Sequence, residues 1–158
     1  MFTTNSIANT LSTLQNAYQN KKLYVDVPYC NANSQLLTQL RGIGYIQHFL
    51  VQLPTGSLDR PRGTTAPLNT RTVARVYLKY VNQAPLFSGV RCYWHLRNKV
   101  SVSLKSLSTS SYNGFDSILL VYTDRGLLTG SMCVRMRLGG ILVCGFYAFI
   151  CDFQHVTL

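Results

Sequence analysis

The residues of this sequence best suited to chemistry form a polar turn between two apolar runs, Thr123-Asp-Arg-Gly126. A strand that ends in such a turn presents backbone N–H groups, a hydroxyl and a cation together, and an arginine can bind two phosphate oxygens at once. Glycine at the end of the turn lets a polynucleotide backbone approach closely. The turn therefore fits a contact with nucleic acid, although taken alone the four residues also fit an ordinary β-turn.

The charge balance of the chain favours the same kind of partner. The 158 residues include 15 lysines and arginines against five acids, all of them aspartate, and the formal charge is +10 at pH 7. Positive charges at this density repel one another, so a polyanionic partner is expected. Nucleic acid is the usual one, and an anionic membrane surface is the second. The apolar content of 47% excludes a disordered basic tail.

Enzyme chemistry has little support in the sequence. The five aspartates are dispersed along the chain, so no pair of carboxylates is evident for acid–base catalysis. The P-loop, the GxSxG nucleophile motif and the HExxH zinc motif are all missing from the sequence. We therefore predict a protein without catalytic activity, cofactor or small-molecule substrate.

Cysteine and histidine leave a zinc-binding module open as an alternative. Cys92-x₂-His95 and Cys151-x₃-His155 supply two thiols and two imidazoles. The spacing differs from that of a zinc finger, however, and residues three apart on a strand lie on opposite faces. The favoured interpretation is that the five cysteines are mostly buried thiols of a reducing compartment and that no metal is bound.

Membrane and targeting segments are not predicted. The longest apolar stretch, 138–151, has fourteen residues and contains three glycines. That is shorter than the roughly 18–20 residues of a membrane span, so a core strand is expected instead. The first basic residue is Lys21, so residues 1–20 fit neither a signal peptide nor an arginine-rich transit helix.

Two helices and three strands are predicted in the first half. Ile7, Leu11, Leu14 and Tyr18 recur at helical spacing and predict an amphipathic helix. The predicted elements are a helix over 3–19, a strand over 23–27 that Pro28 ends, a helix over 31–40 that Gly42 and Gly44 stop, a strand over 45–53, a loop over 54–70 and a strand over 71–81.

The strand over 71–81 carries a second candidate surface. Alternate residues from 72 to 80 form an apolar face, while Arg71, Arg75 and Lys79 lie on the other face with Val73 and Tyr77 between them. A basic face with interleaved aromatic residues is typical of nucleic-acid-binding sheets. For any single residue of this row, a solvated sheet face is the simpler explanation.

The second half is predicted to be mainly strand. Thr129 is expected to cap a short helix that Gly139-Gly140 ends. Other predictions are strands over 90–96, 100–104, 118–123 and 141–150, a turn-like segment over 106–114 and a tight turn over 124–126. The fold class is therefore α+β, with an α/β half over 1–81, built from two helices and a short sheet, and a mainly β half over 82–158 with one short helix.

One stretch gives the sequence a family resemblance. Leu120-Val-Tyr-Thr123, two variable residues, Gly126 and Leu127-Leu128 meet in order the signature of the universal small-subunit ribosomal protein eight family, and Gly139-Gly140 stands where that family places two glycines. The first half agrees in the same order, at 6–11, 14–16, 27–28 and 44–46.

The resemblance implies a structural RNA-binding protein of the small ribosomal subunit. Such a protein binds the central domain of small-subunit rRNA, contacts neighbouring small-subunit proteins and supports assembly and translation, and we expect no membrane association and no homo-oligomer. Arg125 and Thr123 are expected to form the main RNA contact, and Gly126 to be needed because a side chain there would block the RNA. The full set of candidate rRNA-binding residues is Tyr122, Thr123, Asp124, Arg125, Gly126, Thr129, Arg135, Arg137, Gly139, Gly140, Lys21, Lys22, Arg71, Arg75 and Lys79.

Departures from the family pattern indicate a divergent member. The family usually has Ser-Thr-Ser-Lys-Gly where this chain has Tyr122-Thr-Asp-Arg-Gly126, and glutamate where it has Ile141. The carboxylate of Asp124 repels phosphate unless it accepts from a base amine or pairs with Arg125. A mitochondrial ribosome, with the chain made inside the organelle, is the expected location, and another organellar or a bacterial ribosome is the alternative. A free RNA-binding regulator with the same basic surface is the alternative function.

Overall fold

Two helices pack on a three-stranded sheet in the first part of the chain, and a larger antiparallel sheet occupies the rest. The computed structural model describes residues 4–52, 72–94, 99–108 and 117–147. The chain divides into two compact units, Met1–Lys79 and Tyr80–Leu158. The predicted α+β class is confirmed, with most of the helical residues in the first unit and a mainly β second unit.

The first unit alternates helices and strands because the period of its apolar residues changes along the chain. Helical spacing buries Ile7, Leu11 and Leu14, and alternation buries Ala74 and Val76. Its elements are α1 (Thr4–Gln19), β1 (Tyr24–Pro28), α2 (Asn31–Ile43), β2 (Ile46–Gln52) and β3 (Val73–Leu78). The strands pair antiparallel in the order β1-β3-β2.

The ends of α2 and β1 differ slightly from prediction. Gly42 lies inside α2, and Gly44 alone ends the helix, with a left-handed φ of +90° and its N–H bonded to the carbonyls of Leu40 and Arg41. Pro28 is the last residue of β1 instead of the residue after it. Proline lacks the N–H that a strand donates to its neighbour, and this position tolerates it because β1 is an edge strand.

The described residues of the second unit form seven strands and two short helices. Its elements are β4 (Tyr80–Val81), β5 (Ala84–Pro85), β6 (Gly89–Cys92), β7 (Ser101–Val102), α3 (Leu104–Ser108), β8 (Ser117–Thr123), β9 (Gly126–Thr129), α4 (Gly130–Met136) and β10 (Gly140–Tyr147). The main sheet has the order β6-β10-β8-β9, with β7 also on β10, and β4 pairs with β5 as a separate hairpin. One buried cluster consists of Val102, Leu107, Leu119, Val121, Cys133 and Leu142.

The prediction of one continuous strand over 71–81 was wrong. β3 ends at Leu78, and β4 begins at Tyr80 in a different sheet. Asn82 and Gln83 both have positive φ, which turns the chain back into β5 at once and makes β4 part of a hairpin.

The prediction of a single helix in the second half was also wrong, because α3 occupies part of the segment that was predicted to be turn-like. The Ser103 hydroxyl accepts from the backbone N–H of Ser106 at 3.3 Å and so caps α3, and Leu107 buries its side chain in the core cluster. The predicted strand over 100–104 is correspondingly short, and that over 90–96 ends at Cys92.

Several predictions fall outside the described residues. These are the loop over 54–70, most of the segment over 106–114 and the end of the last strand beyond residue 147. Among the described residues, no helix is both long and apolar enough to cross a membrane.

Candidate nucleic-acid interface

The predicted turn joins β8 to β9 and is held closed by one buried hydroxyl. Thr123 and Gly126 are paired across the hairpin, with Asp124 and Arg125 between them. The Thr123 Oγ1 donates to the Gly126 carbonyl at 3.0 Å and accepts from the Arg125 N–H at 3.2 Å. Thr123 is only 3% exposed. Its hydroxyl therefore fixes the shape of the turn from within.

Gly126 supplies the backbone conformation that the turn requires. Its φ is +102°, a region that L side chains rarely adopt, whereas Asp124 and Arg125 are not among the residues of positive φ. Hairpin loops that end in a residue of positive φ favour glycine at that residue. The structure thus gives a conformational reason for Gly126 in addition to the steric one expected from sequence.

The two residues at the tip of the turn face solvent. Asp124 and Arg125 are both exposed, and within the described residues neither side chain has an ion-pair partner. A pair with Arg125 was one of two alternatives for the Asp124 carboxylate, and it is not formed, so the guanidinium is available to a ligand. The backbone beneath this guanidinium is fixed by Thr123 and Gly126. An exposed guanidinium held in this way is suited to donating two hydrogen bonds to one phosphate group.

Tyr122 lies in a small aromatic cluster just before the turn. Its ring meets that of Trp94 edge-on, with centroids 5.6 Å apart and planes at 73°. The Lys99 ammonium lies 5.7 Å from the centroid of the Trp94 ring. The sequence analysis did not identify Trp94 and Lys99 as part of this site. No local pattern connects them with Tyr122, whose strand β8 begins about 20 residues further along the chain.

Helix α4 begins directly after the hairpin, and two exposed arginines lie at its end. As predicted, Thr129 caps it, with its hydroxyl accepting from the Met132 N–H at 3.4 Å. Arg135 in the last turn and Arg137 just after it are both exposed. The helix ends at Arg137, which adopts a left-handed φ of 55°, and not at Gly139-Gly140 as the sequence had predicted.

Gly139 and Gly140 are needed for packing between strands. A Cβ on Gly139 would lie 2.9 Å from the Val102 carbonyl oxygen, and one on Gly140 would overlap the Tyr122 carbonyl oxygen. Backbone atoms cannot move aside as a flexible side chain can, so both positions exclude larger residues. Both glycines therefore allow the start of β10 to lie between β7 and β8, and β8 is the first strand of the hairpin.

Four candidate cations of the first unit lie among the described residues. Lys21, Lys22 and Lys79 are exposed. Arg75 instead makes a two-pronged ion pair with Asp26, with Nε–Oδ1 at 2.8 Å and Nη2–Oδ2 at 3.0 Å. This hydrogen bonding lowers the pKa of Asp26 and raises that of Arg75. Arg71, the fifth candidate, lies outside the described residues.

The cysteines within the described ranges are free thiols. Cys133 and Cys144 are fully buried, and burial raises the pKa of both thiols. Of the four residues in the alternative zinc set, only Cys92 lies within the described residues, so that alternative stays untested. No group of three or more potential metal ligands occurs in the described part of the chain.

Comparison with known proteins gives one consistent result. The model of the family "Ribosomal protein S8" matches residues 5–147. The small ribosomal subunit protein uS8 of Chlamydia trachomatis is 27% identical over 143 residues, which cover 90% of this chain and 96% of the relative. That of Citrifermentans bemidjiense is 27% identical over 145 residues (91% and 98%), and that of Borreliella afzelii is 28% identical over 148 residues (93% and 100%).

Proposed function

The chain belongs to the ribosomal protein S8 family, and from this premise we propose that the β8–β9 turn, with Arg125 at its tip, is its principal contact with rRNA. The protein is a structural constituent of the small ribosomal subunit, where it binds small-subunit rRNA and neighbouring ribosomal proteins. Members of the family have a structural role, and we propose that this chain likewise catalyses no reaction.

The geometry of the turn is the observation that carries the proposal. Thr123 and Gly126 fix the backbone, and the Arg125 side chain is exposed and without an ion-pair partner among the described residues. A cation that is already held in place loses less conformational entropy on binding than one on a flexible loop. Structured RNA is recognised largely through its backbone and shape, which suits a fixed arginine at a hairpin tip.

Arg135 and Arg137 extend the same surface along the chain. Both are exposed and both follow the hairpin through the short helix α4. We assign them phosphate contacts, which contribute affinity without sequence preference. Tyr122, Thr123, Gly126, Thr129, Gly139 and Gly140 act by positioning. The carboxylate of Asp124 disfavours phosphate close to itself, so a phosphate at the tip is directed towards the Arg125 guanidinium.

The test is the affinity of Arg125→Ala for a fragment of the central domain of small-subunit rRNA at physiological salt. We expect a loss of about 1–3 kcal/mol, the range for a two-pronged arginine contact. Arg41→Ala is the matched control, because Arg41 is an exposed arginine on α2 and its removal changes the net charge equally. Equal affinity losses in the two variants would contradict the proposal.

We further propose that the ribosome is mitochondrial. The composition supports this, because a chain with no glutamate and five cysteines departs from what we expect of a bacterial member of the family. Sedimentation of a mitochondrial lysate through a sucrose gradient tests it: the chain should travel with the mitochondrial small subunit and stay there after a high-salt wash. Recovery with another ribosome would contradict the mitochondrial location, and recovery at the top of the gradient would indicate a free RNA-binding protein.

A further inference from the structure

The outer face of the first sheet carries three aromatic rings in one row across its strands. Ala74, Val76 and Leu78 of β3 point inward and are buried, so Val73, Arg75 and Tyr77 belong to the opposite face. The pairing register sets Tyr24 of β1 on one side of Tyr77 and His48 of β2 on the other. We call Tyr24, Tyr77 and His48 the aromatic row.

The three rings are arranged as a partial stack. His48 and Tyr77 are stacked, with centroids 4.4 Å apart and planes at 19°. Tyr24 and Tyr77 are 6.2 Å apart and tilted by 47°. Tyr24 is 49% exposed, a large fraction for an aromatic side chain that has neighbouring rings. The row is therefore ordered and partly open to a ligand.

Charge on this face is largely cancelled at its centre. The two-pronged ion pair with Asp26 occupies the Arg75 guanidinium, which also lies 4.6 Å from the centroid of the Tyr24 ring. These two contacts hold Arg75 against the Tyr24 ring, so we assign Arg75 a role in orienting Tyr24. The phosphate contact predicted for Arg75 from sequence stays a prediction. The face offers a ligand flat aromatic surface in place of a free positive charge.

Tyr24 lies beside an open cavity and near two exposed lysines. An open cavity of about 470 Å³ is lined by Lys22, Leu23, Tyr24, Val25 and Asp26. β1 is the outer strand of its sheet, so no further strand of that sheet covers this edge. Lys22 and Lys79 are both exposed at the same end of the strands as Tyr24 and Tyr77. Aromatic surface flanked by lysines is the combination that binds unpaired nucleotides, with the base on the ring and the phosphate near the cation.

We propose that the aromatic row binds unpaired RNA, with one base stacked on Tyr24. This inference rests on the proposed rRNA-binding function and adds a second site, which recognises single-stranded RNA instead of the shape of a helix. A protein partner would also meet exposed rings, but the flanking lysines and the polyanion already assigned to this chain favour RNA. The ligand class is a single-stranded loop or bulge whose base is free to leave its own stack.

The experiment uses the full chain and an eight-nucleotide oligouridylate with 2-aminopurine at its centre. Stacking quenches 2-aminopurine fluorescence, so the signal reports on the base itself. We expect Tyr24→Leu, which keeps apolar bulk but removes the ring, to weaken binding about 5- to 150-fold and to abolish the quench. Tyr24→Phe keeps the ring and should retain both affinity and quench.

Leu23→Ala is the matched control. Leu23 lines the same cavity and is 77% exposed, but it has no ring to stack on a base. Wild-type affinity and quench are expected for this variant. Thermal unfolding of each variant shows whether it is folded, and substitution of half-exposed or exposed residues is expected to leave the core intact.

Three results would overturn the inference. The first is wild-type quench in Tyr24→Leu, and the second is equal loss in Tyr24→Leu and Tyr24→Phe. The third is unchanged oligonucleotide binding together with poor incorporation of Tyr24→Leu into small subunits, which would identify a protein interface. Binding of the wild-type protein to the structured rRNA fragment separates the two proposals. If the wild-type protein does not bind that fragment, the proposed function is wrong. If it binds the fragment and any of the three results is found, only the inference about the aromatic row is wrong.

Discussion

At the scale of single residues, the β8–β9 turn contains one buried hydroxyl that holds its shape and one exposed cation at its tip. From the sequence, Thr123 and Arg125 are both predicted to contact RNA because of their place in the family's turn. The structure buries the Thr123 hydroxyl in two hydrogen bonds and leaves Arg125 exposed. Residue type alone does not distinguish an RNA-contacting threonine from one that stabilises a turn. The same hydroxyl can form a hydrogen bond with RNA or with the backbone of its own turn.

Glycine roles were hard to predict for a similar reason. Gly126 was assigned to close approach by RNA, and the structure adds a φ of +102°. Gly139 and Gly140 matched the family pattern, but the atoms that exclude their side chains belong to Val102 and Tyr122, which are distant in sequence. Contacts of that kind depend on register and are not visible in a local pattern.

A stability measurement can test the conformational role of Gly126. Gly126→Ala places an L side chain at positive φ, and we expect the free energy of unfolding to fall by about 1–2 kcal/mol in urea denaturation. Gly42→Ala is the control, because Gly42 lies within α2 and a Cβ added there would meet nothing within 4 Å. That change should raise the free energy of unfolding by up to about 1 kcal/mol. A Gly126→Ala protein as stable as wild type would show that the positive φ is not needed.

At the scale of elements, periodicity predicted the first unit well. The helix predicted over 3–19 is α1, Thr4–Gln19, and its four apolar residues are all buried. The alternation along β3 placed Ala74, Val76 and Leu78 inward as expected. These patterns succeed because one face of each element meets a core while the other meets solvent.

The second unit shows where local signals fail. The serine-rich segment over 106–114 was predicted to be turn-like, yet its first residues belong to α3, which Ser103 caps and from which Leu107 packs into the core. Serine is common both in turns and at helix N-caps. Its presence therefore indicates the end of one element but not whether a turn or a helix follows. The break between β3 and β4 was missed because Tyr80 and Val81 are good strand residues that happen to pair within a new hairpin.

At the scale of the whole molecule, positive charge is shared by both units. Residues 1–79 contain eight lysines and arginines and two aspartates, and residues 80–158 contain seven and three. A protein that binds RNA through one turn alone does not need a second basic unit, so the distribution agrees with RNA contacts in each. The exposed cations among the described residues are Lys21, Lys22, Arg41, Lys79, Arg91, Lys99, Lys105, Arg125, Arg135 and Arg137.

Salt dependence can tell whether particular cations meet phosphate or whether net charge alone drives binding. The logarithm of the binding constant falls with the logarithm of salt concentration, and each phosphate contact contributes about 0.7–0.9 to the slope. We therefore expect the double variant Arg135→Ala/Arg137→Ala, which removes two proposed contacts, to lower the slope for the rRNA fragment by about 1.4–1.8. Arg135 lies in the last turn of α4 and Arg137 directly follows that helix, where the proposed contact surface lies.

The double variant Arg41→Ala/Arg91→Ala removes the same charge from two other exposed arginines, one in each unit. If binding depends on defined contacts, this control keeps the wild-type slope, because neither residue belongs to the proposed contact surface. If both double variants lower the slope equally, the +10 charge acts as a diffuse field. The assignment of phosphate contacts to Arg135 and Arg137 would then be wrong, while the stacking site on Tyr24, which is read out by base fluorescence, would be unaffected by that result.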